Sequence, residues 1–198
     1  MKNKTLREKR RKRVEVFSGR AVNFRADSVL LPNGKTVTRE FMDHPGAVAV
    51  LPIMDNGDII MVRQYRYPVG RITLEIPAGK LHRRNDTPLK RARAELREET
   101  GYTSSSFRPI MSFWPAAAFS NEILHIFTAS GLKPGKASPD EDEFIRTVRM
   151  PFGKAYALAE RGEIRDAKTL LALLAYKIRT EKKKIRGIRG LRQSESCG

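Results

Sequence analysis

The stretch "ITLEIPAGKLHRRNDTPLKRARAELREETGY", Ile72 to Tyr102, passes from a strand pattern to a helix pattern, and this change of period decides the fold. Pro77 and Gly79 end the strand, because both residues interrupt extended pairing. Thr87 and Gly101 are the expected start and stop of the helix. The positions that share one helical face are Leu89, Ala92, Leu96 and Thr100. The pattern therefore predicts a strand, a loop and a helix of about three and a half turns.

Strand patterns lie on both sides of this unit. Residues 14–42 predict three short strands, and Asp55-Asn56-Gly57 between two apolar runs predicts a β-hairpin. Later strands are expected in 108–117, 122–132 and 143–152, and closing helices in 152–162 and 166–184, the second capped by Asp166. Strands around one central helix, with helices at the end of the chain, describe a layered mixed α/β domain.

The composition indicates one principal domain. With 198 residues, of which 40% are hydrophobic, the chain can form one sizeable core. No run approaches the roughly 18 apolar residues that span a bilayer, and the N-terminus lacks the apolar centre of a signal peptide. We therefore expect a soluble, cytoplasmic protein without a transmembrane segment. The one cysteine, Cys197, excludes internal disulfides and cysteine-based zinc sites.

The formal net charge of +17 lies mostly at the two ends of the chain. Residues 1–13 and 177–192 each carry +7, which leaves +3 for the remaining residues. Solvated tails are one interpretation of these segments. The other is contact with a polyanion, either nucleic acid or an anionic membrane surface, because clustered Lys and Arg side chains neutralise phosphates. The sequence leaves both interpretations open.

Three glutamates, Glu95, Glu98 and Glu99, share one stripe of the predicted helix. Residues at i, i+3 and i+4 are neighbours on a helix, so these side chains repel one another. A solvated acidic face is one interpretation. A divalent cation is the other, because Mg²⁺ binds a few carboxylate oxygens and keeps water for a phosphate substrate.

The stretch from Ile76 to Tyr102 resembles the Nudix box, which has a glycine, five residues, a glutamate, seven residues and then Arg-Glu-aliphatic-x-Glu-Glu-x-Gly-aliphatic. The matching residues are Gly79, Glu95, Leu96, Glu98, Glu99 and Gly101. Six residues separate Gly79 from the acidic position, which is Asp86, and Ala94 stands where the family has arginine.

This resemblance implies a Nudix-type α/β/α sandwich with a mixed sheet and a small N-terminal antiparallel β subdomain. We expect the β subdomain in residues 14–45, where it would serve dimerisation. The hydrolase domain is expected in residues 46–180, and basic tails in 1–13 and 181–198.

Outside the box, the chain is similar to the ADP-ribose pyrophosphatases, and this similarity implies roles for particular residues. The expected metal ligands are the Ala78 carbonyl and the carboxylates Glu95, Glu98, Glu99 and Glu143. The expected catalytic residues are Glu98, Glu141 and Glu143. The expected substrate-binding residues are Arg39 and Glu40, often supplied across a dimer interface, and Arg66.

The implied reaction is the Mg²⁺-dependent hydrolysis of the ADP-ribose pyrophosphate to AMP and ribose 5-phosphate, with Mn²⁺ as the alternative metal. A homodimer is implied as well, and the basic tails leave nucleic acid open as a partner. Two alternatives stay open. One is a Nudix hydrolase of another nucleotide sugar or of an RNA 5′ end, and the other is a non-catalytic nucleotide-binding Nudix protein.

Overall fold

The computed structural model describes residues 6–20, 22–82, 86–139, 141 and 143–195, with side chains described as far as Lys182. The strands are β1 Lys9–Lys12, β2 Glu15–Ser18, β3 Asn23–Leu30, β4 Thr36–Asp43, β5 Ala47–Pro52, β6 Asp58–Arg66, β7 Arg71–Glu75, β8 Ala78–Lys80, β9 Thr103–Phe113, β10 Leu124–Lys133 and β11 Arg146–Pro151. The helices are α1 Pro88–Thr100, α2 Phe152–Glu160 and α3 Ala167–Glu195. None of the described helices is both long and apolar enough to cross a bilayer.

The N-terminal sheet is antiparallel and is organised around β3, which pairs with β1, β2 and β4. It has four strands, whereas the sequence predicted three. The additional strand, β1, lies within the segment expected as a basic tail, and residues 1–5 of that segment lie outside the described residues. The sequence did not indicate β1 because its four side chains are all exposed, whereas its pairing with β3 is made by the backbone.

The centre of the molecule is a mixed sheet of order β8-β5-β10-β9, in which β5 runs parallel to β10. Every residue of β5 is buried, because α1 covers one face of the strand and α3 covers the other. Leu96 of α1 packs with Val48 and Val50, while Leu173 of α3 packs with Ala49 and Leu51. The predicted α/β/α sandwich is therefore confirmed.

The predicted β-hairpin at Asp55-Asn56-Gly57 is wrong in one respect. The turn forms, with the Gly57 N–H donating to the Met54 carbonyl at 2.9 Å. The flanking strands β5 and β6 nevertheless enter different sheets, and next to the turn Ile53 bridges Ile59 while the Met54 N–H donates to the Asp58 carbonyl at 2.8 Å. Both edges of β5 are already taken by β8 and β10, so β6 pairs with β7 and β11 instead.

Helix α1 confirms the predicted strand, loop and helix. Gly101 ends it with a φ of 78°, a left-handed conformation that glycine adopts without steric cost. Thr87 occupies the position before the helix, but its side chain makes no capping hydrogen bond, since Pro88 already starts the first turn. The buried residues include Ala92, Leu96 and Thr100, whereas Leu89 is 41% exposed.

Helix α3 begins as predicted and ends later. The Asp166 carboxylate accepts hydrogen bonds from the Thr169 N–H at 3.0 Å and from the Thr169 hydroxyl at 2.6 Å, which confirms the cap. The helix continues to Glu195 instead of ending near Lys184, so the segment expected as a C-terminal tail is mostly helical. Residues 196–198, with Cys197, lie outside the described part.

Candidate active site

The candidate site lies where β8 meets α1. Glu95 and Glu99 project from α1 toward this strand and are only 4% and 3% exposed. The Ala78 N–H donates to Oε2 of Glu99 at 3.2 Å. A Cβ added at Gly79 would stand 1.6 Å from Oε1 of Glu95, so only glycine admits that carboxylate. The first glycine of the box and its glutamates therefore form one packed unit.

Burial raises the pKa of both carboxyls. The pKa of Glu95 rises to about 7, mainly through loss of water and partly through the charges of Glu98 and Glu143, while Arg91 opposes the rise. The pKa of Glu99 rises to about 8, again mainly through burial and then through the charge of Glu95, while the Ala78 N–H opposes it. The protein thus holds two adjacent carboxylates whose charge is only partly compensated.

Arg91 is a site residue that the family resemblance did not indicate. Its guanidinium forms an ion pair with Glu95 one turn later and lies 3.3 Å from Oε2 of Glu98. The family arginine position holds Ala94, and Arg93 and Arg97 are basic residues close to it in the sequence. Arg93 instead stacks on Phe107, and Arg97 is 63% exposed. The i, i+4 spacing of Arg91 and Glu95 is the signal that would have identified the pair.

The loop that carries Glu141 and Glu143, here called the acidic loop, contacts α1. The Ser138 N–H donates to the Glu98 carbonyl at 2.9 Å, which fixes the start of the loop on α1. Glu143 is exposed, and its charge contributes to the raised pKa of both Glu95 and Glu99. Glu141 is exposed in the same loop. The structure therefore brings Glu143 together with the helix glutamates, and the catalytic and metal-binding roles of these residues stay predictions.

Arg66 belongs to a network of ion pairs beside the glutamates. Its Nε and Nη2 donate to the two oxygens of Glu75, both at 2.8 Å. Glu75 is 1% exposed and also accepts a hydrogen bond from the Lys168 ammonium. Desolvation would raise the pKa of Glu75, but the bonds from Arg66 and Lys168 outweigh it and lower the pKa to about 2. The charge of Glu99 contributes to the raised pKa of Arg66, and the charge of Lys168 opposes the rise in the pKa of Glu99.

This network lines an open cavity of about 1020 Å³ between β7 and the loop that precedes α3. Its charged lining residues are Arg66, Arg71, Glu75, Arg161, Glu163, Arg165, Asp166 and Lys168. A cavity of this size accommodates a ligand as large as a nucleotide. Of these residues, Arg66 alone was expected to bind substrate, and the contact between Glu75 and Lys168 joins positions 93 residues apart.

Arg39 and Glu40 lie in β4 of the N-terminal sheet, away from the β8–α1 junction in sequence and in sheet. The Arg39 guanidinium donates to both oxygens of Glu8, at 3.0 and 2.6 Å. Glu40 is exposed and lines an apolar depression with Phe17, Phe24 and Phe119. Within a single chain, Arg39 is therefore paired with Glu8. The substrate-binding role of Arg39 and Glu40 stays a prediction.

The residues at the β8–α1 junction suit a hard divalent cation. Within the described residues, Oε1 of Glu95 is buried and accepts no aligned hydrogen bond, although it contacts Arg91. No three acidic or histidine side chains of the described part converge closely enough to enclose an ion. A hydrated ion held by one or two carboxylates fits this arrangement, since Mg²⁺ retains several waters for its substrate.

A family model described as the NUDIX domain matches residues 43–173. This range includes the β8–α1 junction, the acidic loop and the Arg66–Glu75–Lys168 network.

The chain resembles several characterised proteins over most of its length. It is 43% identical to the ADP-ribose pyrophosphatase of Bacillus subtilis (strain 168), over 86% of this chain and 92% of that protein. It is 42% identical to the methanol dehydrogenase activator of Bacillus methanolicus, with the same coverage of 86% and 92%. A GDP-mannose pyrophosphatase of Yersinia enterocolitica is 34% identical over 71% of this chain and 79% of that protein.

A solved structure described as an ADP compounds hydrolase has the same fold. Its TM-score is 0.77, with 21% sequence identity, and the match covers 90% of this chain and 97% of that one. At this identity the likeness concerns the fold alone.

Proposed function

The chain belongs to the Nudix family and is a Nudix pyrophosphohydrolase, and on that premise we propose that it hydrolyses the pyrophosphate of ADP-ribose to AMP and ribose 5-phosphate. The observation that carries the proposal is the burial of Glu95 and Glu99 beside the cationic network of Arg66 and Lys168. A pyrophosphate linkage needs both elements, because its charge must be neutralised before water can attack.

The choice of substrate rests on similarity and on space. The relative at 43% identity is an ADP-ribose pyrophosphatase and matches 86% of this chain. The cavity of about 1020 Å³ beside Arg66 is large enough for both halves of a nucleoside diphosphate sugar.

In the proposed mechanism, Glu95 and Glu99 hold Mg²⁺ with help from Glu98 and the Ala78 carbonyl. When bound, the metal supplies charge neutralisation at the phosphates and lowers the pKa of water. Arg66 presents its remaining N–H groups to a phosphate oxygen. Glu143, or Glu141, accepts the proton of the attacking water, and this requires the loop to close over the substrate.

The proposal includes a homodimer in which the N-terminal sheet of one subunit supplies Arg39 and Glu40 to the other. Apolar side chains exposed on this sheet support it, since Val16, Phe17 and Phe24 are 65%, 53% and 44% exposed. Clustered exposed apolar residues mark contact surfaces.

Turnover of a substrate panel tests the function. Purified protein with Mg²⁺ is offered ADP-ribose, GDP-mannose, ADP-glucose, diadenosine polyphosphates and capped RNA, and the products are separated by chromatography. We expect the highest kcat/KM for ADP-ribose, with AMP and ribose 5-phosphate as products. Preference for another substrate contradicts the proposal.

Glu99→Gln tests the site in the same assay. We expect turnover to fall by at least about a thousandfold, the scale of losing a group that stabilises the transition state. Unchanged unfolding by urea would show that the variant is folded. Undiminished turnover in this variant would sink the assignment of the site.

A second candidate keeps the chemistry and changes the substrate to another nucleotide sugar. The similarity to a GDP-mannose pyrophosphatase at 34% identity favours it. The panel distinguishes the two candidates directly.

Loss of activity on capped RNA alone after removal of residues 1–13 would assign the basic N-terminus to nucleic acid binding. Binding of a nucleotide without any turnover would select the non-catalytic alternative.

A further inference from the structure

The Glu75 carboxylate is held at both of its oxygens. Oε1 accepts from Nε of Arg66 at 2.8 Å and from the Thr73 hydroxyl at 2.6 Å. Oε2 accepts from Nη2 of Arg66 at 2.8 Å and from the Lys168 ammonium. A bidentate bond between a guanidinium and a carboxylate fixes the plane of both groups. The direction in which Arg66 points therefore depends on what holds Glu75.

Lys168 is the part of this network that comes from a distant segment of the chain. It lies in the first turn of α3 and is 9% exposed. Its ammonium is shared between Glu75 and Asp166, with Oδ1 of Asp166 at 2.8 Å. Asp166 caps the helix by accepting a hydrogen bond from the Thr169 hydroxyl. The same hydroxyl oxygen accepts a hydrogen bond from the Ile76 N–H at 3.0 Å. The start of α3 is thus locked to the end of β7 next to Glu75.

Arg66 retains donors for a ligand. A guanidinium carries five N–H groups, and the bonds to Glu75 use Nε and Nη2. Across the part of the chain that the structure describes, the N–H groups of Nη1 have no protein acceptor. The side chain is 41% exposed and opens into the cavity of about 1020 Å³.

We propose that Lys168 is a positioning residue, which holds Glu75 so that Arg66 directs its Nη1 donors into the substrate cavity. Without the ammonium, Glu75 would lose one of its fixed partners, and the guanidinium would turn with it. The inference rests on the proposed function, in which Arg66 receives a phosphate oxygen. The sequence assigned no role to Lys168, because its contact with Glu75 arises from the packing of α3 against β7.

The orientation of Arg66 can be observed without catalysis. The Arg66 Nε–H resonance, assigned by its loss in Arg66→Lys, is expected to exchange slowly with water in the wild-type chain. Lys168→Met is expected to increase this exchange by at least about tenfold, and Lys168→Arg to preserve slow exchange, because it keeps the charge-assisted bond to Glu75. The matched control is Lys177→Met on the same helix, whose partner Glu181 lies 3.3 Å away at the surface. This control is expected to leave the resonance unchanged.

Kinetics then test whether Lys168 acts through Arg66. We expect Lys168→Met to lower kcat/KM for ADP-ribose by between about tenfold and about a hundredfold, as displaced positioning groups do. In an Arg66→Ala background the same substitution should lower it by less than about twofold, because coupled residues are not additive. Equal losses in both backgrounds would overturn the proposal, as would slow Nε–H exchange in Lys168→Met.

The two proposals fail in different ways. If the wild type turns over none of the panel, the proposed function fails, and the exchange of the Arg66 Nε–H still decides whether Lys168 positions it. If Lys168→Met does not fold, Lys168→Gln replaces it, since a neutral and shorter side chain also removes the ammonium from Glu75. Slow exchange in that variant overturns the inference, and fast exchange supports it.

Discussion

At Gly79 the backbone of β8 lies directly against the carboxylate of Glu95. A Cβ at this position would stand 1.6 Å from Oε1 of Glu95, and that side chain is only 4% exposed. The glycine is therefore required by the adjacent side chain, since its own φ is not in the left-handed region.

Gly79→Ala is expected to displace the Glu95 carboxylate and lower kcat by at least about a hundredfold, because a shift of about 1 Å in a positioned group has that effect. Steady-state kinetics with ADP-ribose measure it. The matched control is Gly153→Ala in α2, where an added Cβ meets nothing within 4 Å. The control should keep full activity, and a similar loss in both variants would contradict this account of Gly79.

Arg91 contacts two of the glutamates of α1, a helix in which Ala94 stands where the Nudix pattern has arginine. Its guanidinium is 17% exposed and lies between Glu95 and Glu98. An arginine one turn before Glu95 is near enough to bind that carboxylate and hold its orientation.

Arg91→Ala is expected to lower kcat by between about tenfold and about a hundredfold through loss of this orientation. Arg97→Ala is the control, because Arg97 is 63% exposed and lies 3.7 Å from the same Glu98. The double variant Arg91→Ala/Ala94→Arg should recover part of the activity. Equal effects of Arg91→Ala and Arg97→Ala would rule out a special role for Arg91.

At the scale of elements, the contact between β7 and the start of α3 stabilises the fold and depends on pH. Arg66 and Lys168 hold the pKa of Glu75 at about 2, below its ordinary value of 4.5. A carboxyl with a lowered pKa in the folded state contributes its full stability above about pH 4.5 and loses it as the pH falls toward about 2. The contribution is on the order of 3 kcal/mol, since one pKa unit corresponds to about 1.4 kcal/mol.

We therefore expect the free energy of unfolding to fall more steeply between pH 4.5 and pH 2 in the wild type than in Glu75→Gln. Urea unfolding at several pH values measures both slopes. Glu181→Gln, which changes a surface pair with Lys177, should follow the wild type, because exposed pairs contribute little. Parallel slopes for wild type and Glu75→Gln would show that Glu75 does not supply this stability.

At the scale of the whole molecule, the N-terminal sheet leaves several large apolar side chains exposed. Its apolar side chains line a depression of about 620 Å³ with Phe41, Met42 and Phe119. The proposed homodimer covers this surface and brings Arg39 and Glu40 to the partner's cavity.

Phe24→Ser is expected to shift the protein from dimer to monomer in sedimentation and to lower kcat/KM by at least about tenfold, since each site would lose residues supplied in trans. Leu174→Ser is the control, because Leu174 is 45% exposed on α3. A wild type that sediments as a monomer contradicts the proposed dimer, and a fully active Phe24→Ser monomer contradicts the role of Arg39 and Glu40.

Local pattern identified the elements that local physics controls. The period of the apolar residues and the left-handed Gly101 set α1, and Asp166 set the start of α3. The pattern failed where partners come from elsewhere. Strand β1 shows no apolar alternation, since all four of its side chains are exposed. Strand β6 does not pair with β5 as the hairpin pattern predicted, because β8 and β10 occupy both edges of β5.

The sequence by itself determined the acidic stripe of Glu95, Glu98 and Glu99, because residues within one helical turn have a fixed relation in space. The sequence also carried the family resemblance from which Arg66 was expected to bind substrate. Only the tertiary structure decided which basic side chains pair with the buried carboxylates. Arg91 pairs with Glu95, and Lys168 reaches Glu75 across 93 residues. An ion pair between distant segments depends on how helix and sheet pack, and no local pattern encodes that packing.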